Sequence, residues 1–462
     1  MSLTDPAYLE LEHLWRPGGW TSPAWLEVDE DGRIAAVHDA RPADWSSDAR
    51  RIAGWTLPGL GNLHGHSFQR LLAGHAEHGA PGHEDDSFWT WREAMYGVAG
   101  SIGPELLEAA AAMLYVELLE AGHTSHGEFH YLHRTPEGSD YADRTELSQR
   151  LIAAAERTGI GLTLLPVLYL HAGPGRPLAA AQRRFGHRDV ADYLGLVEAL
   201  VPHMARDPRR VLGLAPHSLR AVAPVELGEL LLARERLVPH APVHLHVAEQ
   251  RRELEECVEA YGRRPLRLLL DDHAVDERWC LVHATWADED ELAEVARRRA
   301  IVGLCPTTEA NLGDGLFPLP AFLAQGGRFG LGSDSHVSVS TPEELRLLEY
   351  GQRLVTGRRN LCAPTGSVGR RLFDAAVEGG AQALAQGPVH LGPGERADLV
   401  VLDGDHPRLL GHGSDTLLDA WIFSSAGGTP IREDWVAGRR VVDGGRHVDR
   451  ERVRAEFERA LR

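Results

Sequence analysis

The run LPGLGNLHGHSFQR, residues 57–70, decides how the rest of this sequence is read. It begins as an apolar strand. Where a doubly wound open sheet would turn through glycines toward a phosphate, it carries two histidines instead. His64 and His66 lie two residues apart, so on a strand they point to the same face. Outward from this run, short β-type segments alternate with longer helical patterns, as in a parallel α/β fold. Strands are predicted at 57–63, 123–131, 162–170, 211–218, 243–248, 280–284, 301–305 and 329–332. Eight is the number that closes a (β/α)8 TIM-type barrel. Helices are predicted between them at 104–121, 188–205, 287–297 and 341–355, the first with Pro104 in its opening turn and Gly122 at its end.

The two ends read differently. Residues near 25–37 and 397–442, including DLVVLD and WVAGRRVVDGG, look like short strands separated by turns. The expected organisation is a small β-sandwich built from 1–55 together with 390–462, beside a catalytic barrel at 56–389.

Composition narrows the chemistry. No lysine occurs, so all 48 Lys-plus-Arg residues are arginines. That rules out a Walker-type phosphate loop, a Schiff-base lysine and ordinary pyridoxal chemistry. A formal charge of −19 argues against nucleic acid and anionic membrane as partners. The first fifteen residues lack the pattern of a secretory signal, and no run is long enough to span a bilayer. Four scattered cysteines, Cys257, Cys280, Cys305 and Cys362, have no CxxC spacing. They suit a reducing cytoplasm and argue against a disulfide framework or a cysteine zinc site.

In such a barrel the chemistry sits at the C-terminal ends of the strands. His64 and His66 end the first. The fifth, VHLHVAEQ, offers His244 and His246; His246 is nearer the end and is the better ligand, while His244 is expected inside the barrel. Glu249 leaves the same strand and can overhang a bound ion. His283 ends the sixth strand and Asp334 the eighth. A metal set of His64, His66, His246 and Asp334 follows, with Glu249, His283 and Asp334 as the catalytic group. Three imidazoles and a carboxylate suit one divalent cation, zinc best, with iron or manganese as alternatives. Without lysine no carboxylated-lysine bridge between two metals can form, which favours a single ion, although a bridging glutamate stays open.

The order HxH, HxxE, His, Asp resembles the deaminase branch of the amidohydrolase superfamily. LHGHSFQRLLAG, DSFWTWREAMY, EFHYLH, APHSLRAV, HVAEQ and GSDSHVSVSTPEELRLLEYGQRL together resemble the formimidoylglutamate deiminases of bacterial histidine degradation, through nearly the whole barrel. The resemblance implies zinc, a cytoplasmic location and a homodimer. It also implies a dianionic small-molecule substrate, for which an acidic protein needs local arginines. Arg220 and Arg92 are the candidates, and Gln69, Tyr131 and His217 match the family's substrate-contacting motifs. Trp89 and Trp91 are expected to shape a loop wall. In the implied reaction Asp334 accepts a proton from water, Glu249 carries protons to the leaving amine, and His283 orients and polarises the reacting group. Rival readings are another deaminase of the superfamily, such as a guanine deaminase, and a catalytically inactive barrel serving as a binding protein. The first would need base-stacking aromatics in place of paired arginines; the second would be expected to have lost ligands that are all present here.

Overall fold

The computed structural model describes residues 7–43, 45, 49–78, 87–424 and 429–462. Residues 1–6 of the expected small unit and Asp86 of the DSFWTWREAMY motif lie outside the described residues.

Eight parallel strand positions form the barrel. They are Leu60–Gly65, His123–His130, Gly161–Leu168, a fourth in two pieces (Arg210–Leu212 and Ala215–Pro216), Val243–Val247, Trp279–His283, Ile301–Leu304 and Arg328–Leu331. Neighbours pair in parallel around the ring, which closes through a bridge between Leu214 and Val243. Six of the eight positions are buried along their whole length, because side chains fill the barrel on one face and helices cover the other. The helices start and stop on local signals. In Glu289–Arg298, Asp288 accepts the Glu291 N–H at 2.9 Å while Glu291 accepts the Asp288 N–H at 2.8 Å. Acidic residues fill its first turn and Arg297 and Arg298 its last, matching the helix dipole.

The strand expected from residue 57 is divided. Leu57 and Pro58 end a different strand, Arg50–Pro58, which pairs antiparallel with Leu399–Leu402 and parallel with Ala7–Arg16. The barrel strand starts only at Leu60. Both elements are buried at this junction, so the apolar run passes through it without a break.

The terminal segments make one mixed nine-stranded sheet. Its order runs from Arg446–His447 through Arg439–Asp443, Ile431–Val436, Leu399–Leu402, Arg50–Pro58, Ala7–Arg16 and Ala24–Val28 to Ile34–His38, with Gly19–Thr21 beside Ala7–Arg16. It has its own core of Leu9, Leu11, Leu26, Ile52, Leu399 and Val401. Among the described residues no helix is long and apolar enough to cross a membrane.

Candidate active site

The first and eighth barrel strands meet at a bridge between Gly65 and Asp334. The Asp334 N–H donates to the His64 carbonyl at 3.1 Å, and the His66 N–H donates to the Asp334 carbonyl at 3.0 Å. This lacing brings His64, His66 and Asp334 together at the barrel mouth. Only glycine fits between the two histidines: a Cβ on Gly65 would lie 2.4 Å from Cε1 of His336 and 2.8 Å from Cε1 of His126. His246 arrives from the fifth strand with Nε2 3.0 Å from Nε2 of His64. Asp334 Oδ1 is 3.2 Å from His66 Nε2 and 3.6 Å from His64 Nε2. The four residues expected as ligands therefore converge. His244 instead lies inside the barrel, bonded to the Ala383 carbonyl at 2.8 Å.

The donor atoms are prepared for a cation. His66 donates Nδ1–H to the Phe129 carbonyl at 2.8 Å and His246 donates Nδ1–H to the His217 carbonyl at 3.2 Å, leaving an Nε2 lone pair on each. Burial drives His64 down to about 3 and His246 well below its ordinary value, so both are neutral. Burial alone would raise Asp334, but His64 and His66 hold it well below the usual carboxylate range. Neutral imidazole lone pairs and one carboxylate facing a common point fit a divalent cation. His283, Cys305 and Asp334 make a second close group. Burial and the nearby carboxylates push the Cys305 thiol well up, so it stands there as a neutral thiol.

Beside the ligands, His283 donates Nδ1–H to Glu309 Oε1 at 3.2 Å and turns Nε2 toward Glu249 Oε1 and Asp334 Oδ2, each 3.7 Å away. Burial would lower the imidazole, yet Glu249, Glu309 and Asp334 raise it to about 10. Burial, with Asp334 and Glu253 adding to it against His283 and Arg220, lifts the Glu249 carboxyl to about 7. The backbone here is strained: Ala248, His283, Ala284, Asp334 and His336 all have positive φ, between 45° and 69°. For residues other than glycine this costs about 1–2 kcal/mol each, and the surrounding bonds must hold it. Glu253 holds the fifth-strand exit, accepting the Ala248 N–H at 3.1 Å and the Glu249 N–H at 3.0 Å.

Gln69, Arg92, Tyr131, His217 and Arg220 line the same pocket as His66, His246, Glu249, His283 and Asp334. Gln69 donates Nε2–H to the Tyr131 hydroxyl at 2.7 Å, and its Oε1 is buried without a partner. The Nε atoms of Arg92 and Arg220 are likewise buried and unpartnered. Burial and the adjacent Arg220 keep His217 well below its ordinary pKa, hence neutral. The FWTW segment is not a loop wall. It opens helix Phe88–Ala99, where Trp91 lines the pocket and Trp89 lies under the guanidinium groups of Arg92 and Arg252, 4.5 and 4.3 Å from its ring centre.

Several residues of the site were not foreseen. Glu253 and Glu309 sit in first turns of helices, where an acidic residue normally means only capping. Asp314 is buried with Oδ1 taking the Gln250 amide and Oδ2 unpartnered; burial and the charge of Glu249 raise it to about 9. Tyr169 could have been found: it follows the third strand as Tyr131 follows the second, so the strand-end rule applied to both.

The amidohydrolase family model matches residues 55–441. The chain is 49% identical over 448 residues to the formimidoylglutamate deiminase of Pseudomonas aeruginosa, with 96% of each chain covered. It is 27% identical to a 5-methylthioadenosine/S-adenosylhomocysteine deaminase of Natronomonas pharaonis, covering 94% of this chain and 92% of that one. The crystal structure of an amidohydrolase from Brucella melitensis superposes with a TM-score of 0.91 at 43% identity, over 98% of this chain and 99% of that one. An adenosine deaminase from Xanthomonas campestris, solved with bound zinc, shares the fold at 22% identity and a TM-score of 0.80, over 98% and 97% of the two chains. The chain belongs to the amidohydrolase family and, within it, to the formimidoylglutamate deiminases.

Proposed function

We propose that this protein hydrolyses N-formimidoyl-L-glutamate to N-formyl-L-glutamate and ammonia, a step of histidine degradation, with one zinc ion held by His64, His66, His246 and Asp334. One observation carries the reading. A single pocket joins a cation donor set to two arginines, Arg92 and Arg220, whose Nε atoms are buried and unpartnered. The first suits hydrolysis of an amidine carbon; the second suits a dianion. The relative from Pseudomonas aeruginosa supports the same substrate, and a cytoplasmic homodimer belongs to the same reading.

When bound, the cation supplies the Lewis acidity that makes hydroxide available near neutral pH. The remaining work falls to side chains. A C–O bond forms at the formimidoyl carbon and the C–N bond to the terminal nitrogen breaks. Both protons of the water leave with that nitrogen as ammonia, and the oxygen remains as the formyl carbonyl. Glu249, poised near neutrality, takes a proton from water and delivers protons to the departing nitrogen. Asp334 Oδ2, the oxygen turned toward His283, is a second acceptor for a water proton. His283 donates Nε2–H toward the water-derived oxygen, orienting it for attack and holding it at the tetrahedral carbon, with Glu309 fixing the ring from behind. Gln69 Oε1 accepts a substrate N–H, while Arg92, Arg220, Tyr131 and His217 hold the carboxylates.

Ammonia release from N-formimidoyl-L-glutamate by zinc-loaded protein, with a chelator-treated control, tests this directly. Chelator-sensitive release with N-formylglutamate as the second product supports it; no release with the cation bound discards the substrate. Arg220→Met is expected to lower kcat/KM about 10- to 150-fold, mainly through KM. This corresponds to the roughly 1.5–3 kcal/mol of one charge-assisted contact. Unchanged kinetics in a folded variant would remove Arg220 from substrate binding.

A further inference from the structure

One end of the pocket is lined by Tyr96, Tyr169, Arg92 and Arg220. Just behind it, Gln182 is buried and donates Nε2–H to the Tyr96 hydroxyl at 3.1 Å and to the Tyr169 hydroxyl at 3.0 Å. Its orientation is fixed, because Oε1 accepts the Ala179 backbone N–H at 2.9 Å. Were the amide turned over, an N–H would face another N–H.

This has a consequence for the two phenols. Each oxygen already accepts a hydrogen bond from Gln182, so each O–H proton must point elsewhere. One can donate to the other, but both cannot, so at least one O–H is free to donate into the pocket that both residues line. Arg92 stands over the Tyr96 ring at 5.6 Å, and the Nε atoms of Arg92 and Arg220 are buried without partners. Phenol and guanidinium protons thus meet at one place.

We propose that Gln182 is a specificity-positioning residue: by donating to both phenols it turns this end of the pocket into a donor-only socket for one carboxylate of the substrate. The inference rests on the formimidoylglutamate reading and deepens it. A carboxylate accepts from every side and fits such a socket. The isosteric amide brings two N–H groups that find no acceptor there, and a buried unpaired donor is strongly disfavoured.

The test is steady-state formation of the N-formyl product from three compounds: N-formimidoyl-L-glutamate, its side-chain monoamide and its α-monoamide. Gln182→Leu is expected to raise KM for the dianion about tenfold or more with kcat changed little. Its preference for the dianion over one of the monoamides should fall by a similar factor. The Tyr96→Phe/Tyr169→Phe double variant, which leaves Gln182 in place, should shift the same preference and decides the matter alone if Gln182→Leu does not fold. Wild-type preference retained in the folded, active Tyr96→Phe/Tyr169→Phe double variant overturns the inference and leaves the substrate reading intact. Wild-type protein that is folded, zinc-loaded and inactive on all three compounds overturns the substrate reading, and the inference with it.

Discussion

Replacing Glu249 with glutamine is expected to lower kcat by about 10²- to 10⁴-fold, the usual contribution of a positioned general acid–base. Metal content should not change. Glu249 is isosteric with glutamine, and its backbone is held by Glu253 rather than by its own side chain. His283 loses one of its carboxylate neighbours but keeps Glu309 and Asp334. What the variant cannot do is take a proton from water and give it up again. The same carboxyl sets the pH dependence. Burial and the neighbouring carboxylates hold it near 7, and only its ionised form accepts the first proton. The wild-type rate should therefore fall as pH drops through an acidic limb centred at or below about 7, since a bound cation draws the midpoint down. Single-turnover rates against pH, with metal measured in each sample, check both points. A variant that turns over at the wild-type rate would take Glu249 out of the proton path.

Stripping the cation is expected to abolish turnover and also to destabilise the fold. Without it Asp334 is a buried anion and the His64 and His246 nitrogens face each other at 3.0 Å with no common partner. A ligand that binds only the folded state contributes about 4 kcal/mol at a thousandfold excess over Kd, and removing it forfeits that amount. Thermal melts of loaded and chelator-stripped protein should differ by several degrees, with one zinc ion per chain lost. Restoring zinc should return both stability and activity. In Asp334→Ala the melt should no longer respond to zinc in the same way. Identical melts for loaded and verified metal-free protein would show that these residues are not where the cation is held.

Much of this was legible because strand-end chemistry follows simple geometry. HGH, HVAE, His283 and Asp334 each lie at the end of an apolar run, and the barrel rule converts that position directly into convergence. Most of the eight strands were legible for the same reason, whereas His123–His130 is buried but largely polar. What escaped depends on features that hydrophobicity does not encode. The handover from Pro58 to Leu60 is silent because both sheets bury their strands there. Gly65 reads as a spacer, although the rings of His126 and His336 leave no room for anything else. Glu253 and Glu309 look like helix caps and do serve backbone N–H groups, so their second role beside Glu249 and His283 is masked. The left-handed backbone at Asp334 and His283 is set by packing around them, and no residue type there announces it. Arg92 and Arg220 were singled out from many arginines only through family motifs; what sets them apart physically is an idle, buried Nε on a side chain that lines the pocket with the cation donors.

The order of strands in the terminal sheet has a consequence in time. Arg50–Pro58 is flanked on one side by Ala7–Arg16, made shortly before it, and on the other by Leu399–Leu402, roughly 340 residues downstream. At about 5–20 residues per second on the ribosome, that second neighbour emerges some 17–70 s later. During that interval the nascent strand, with Ile52 and Leu57 destined for burial, has one side open while the barrel is assembled. The growing chain must therefore carry an unpaired apolar edge for most of its synthesis, which makes this strand the place where a nascent-chain chaperone has most to shield.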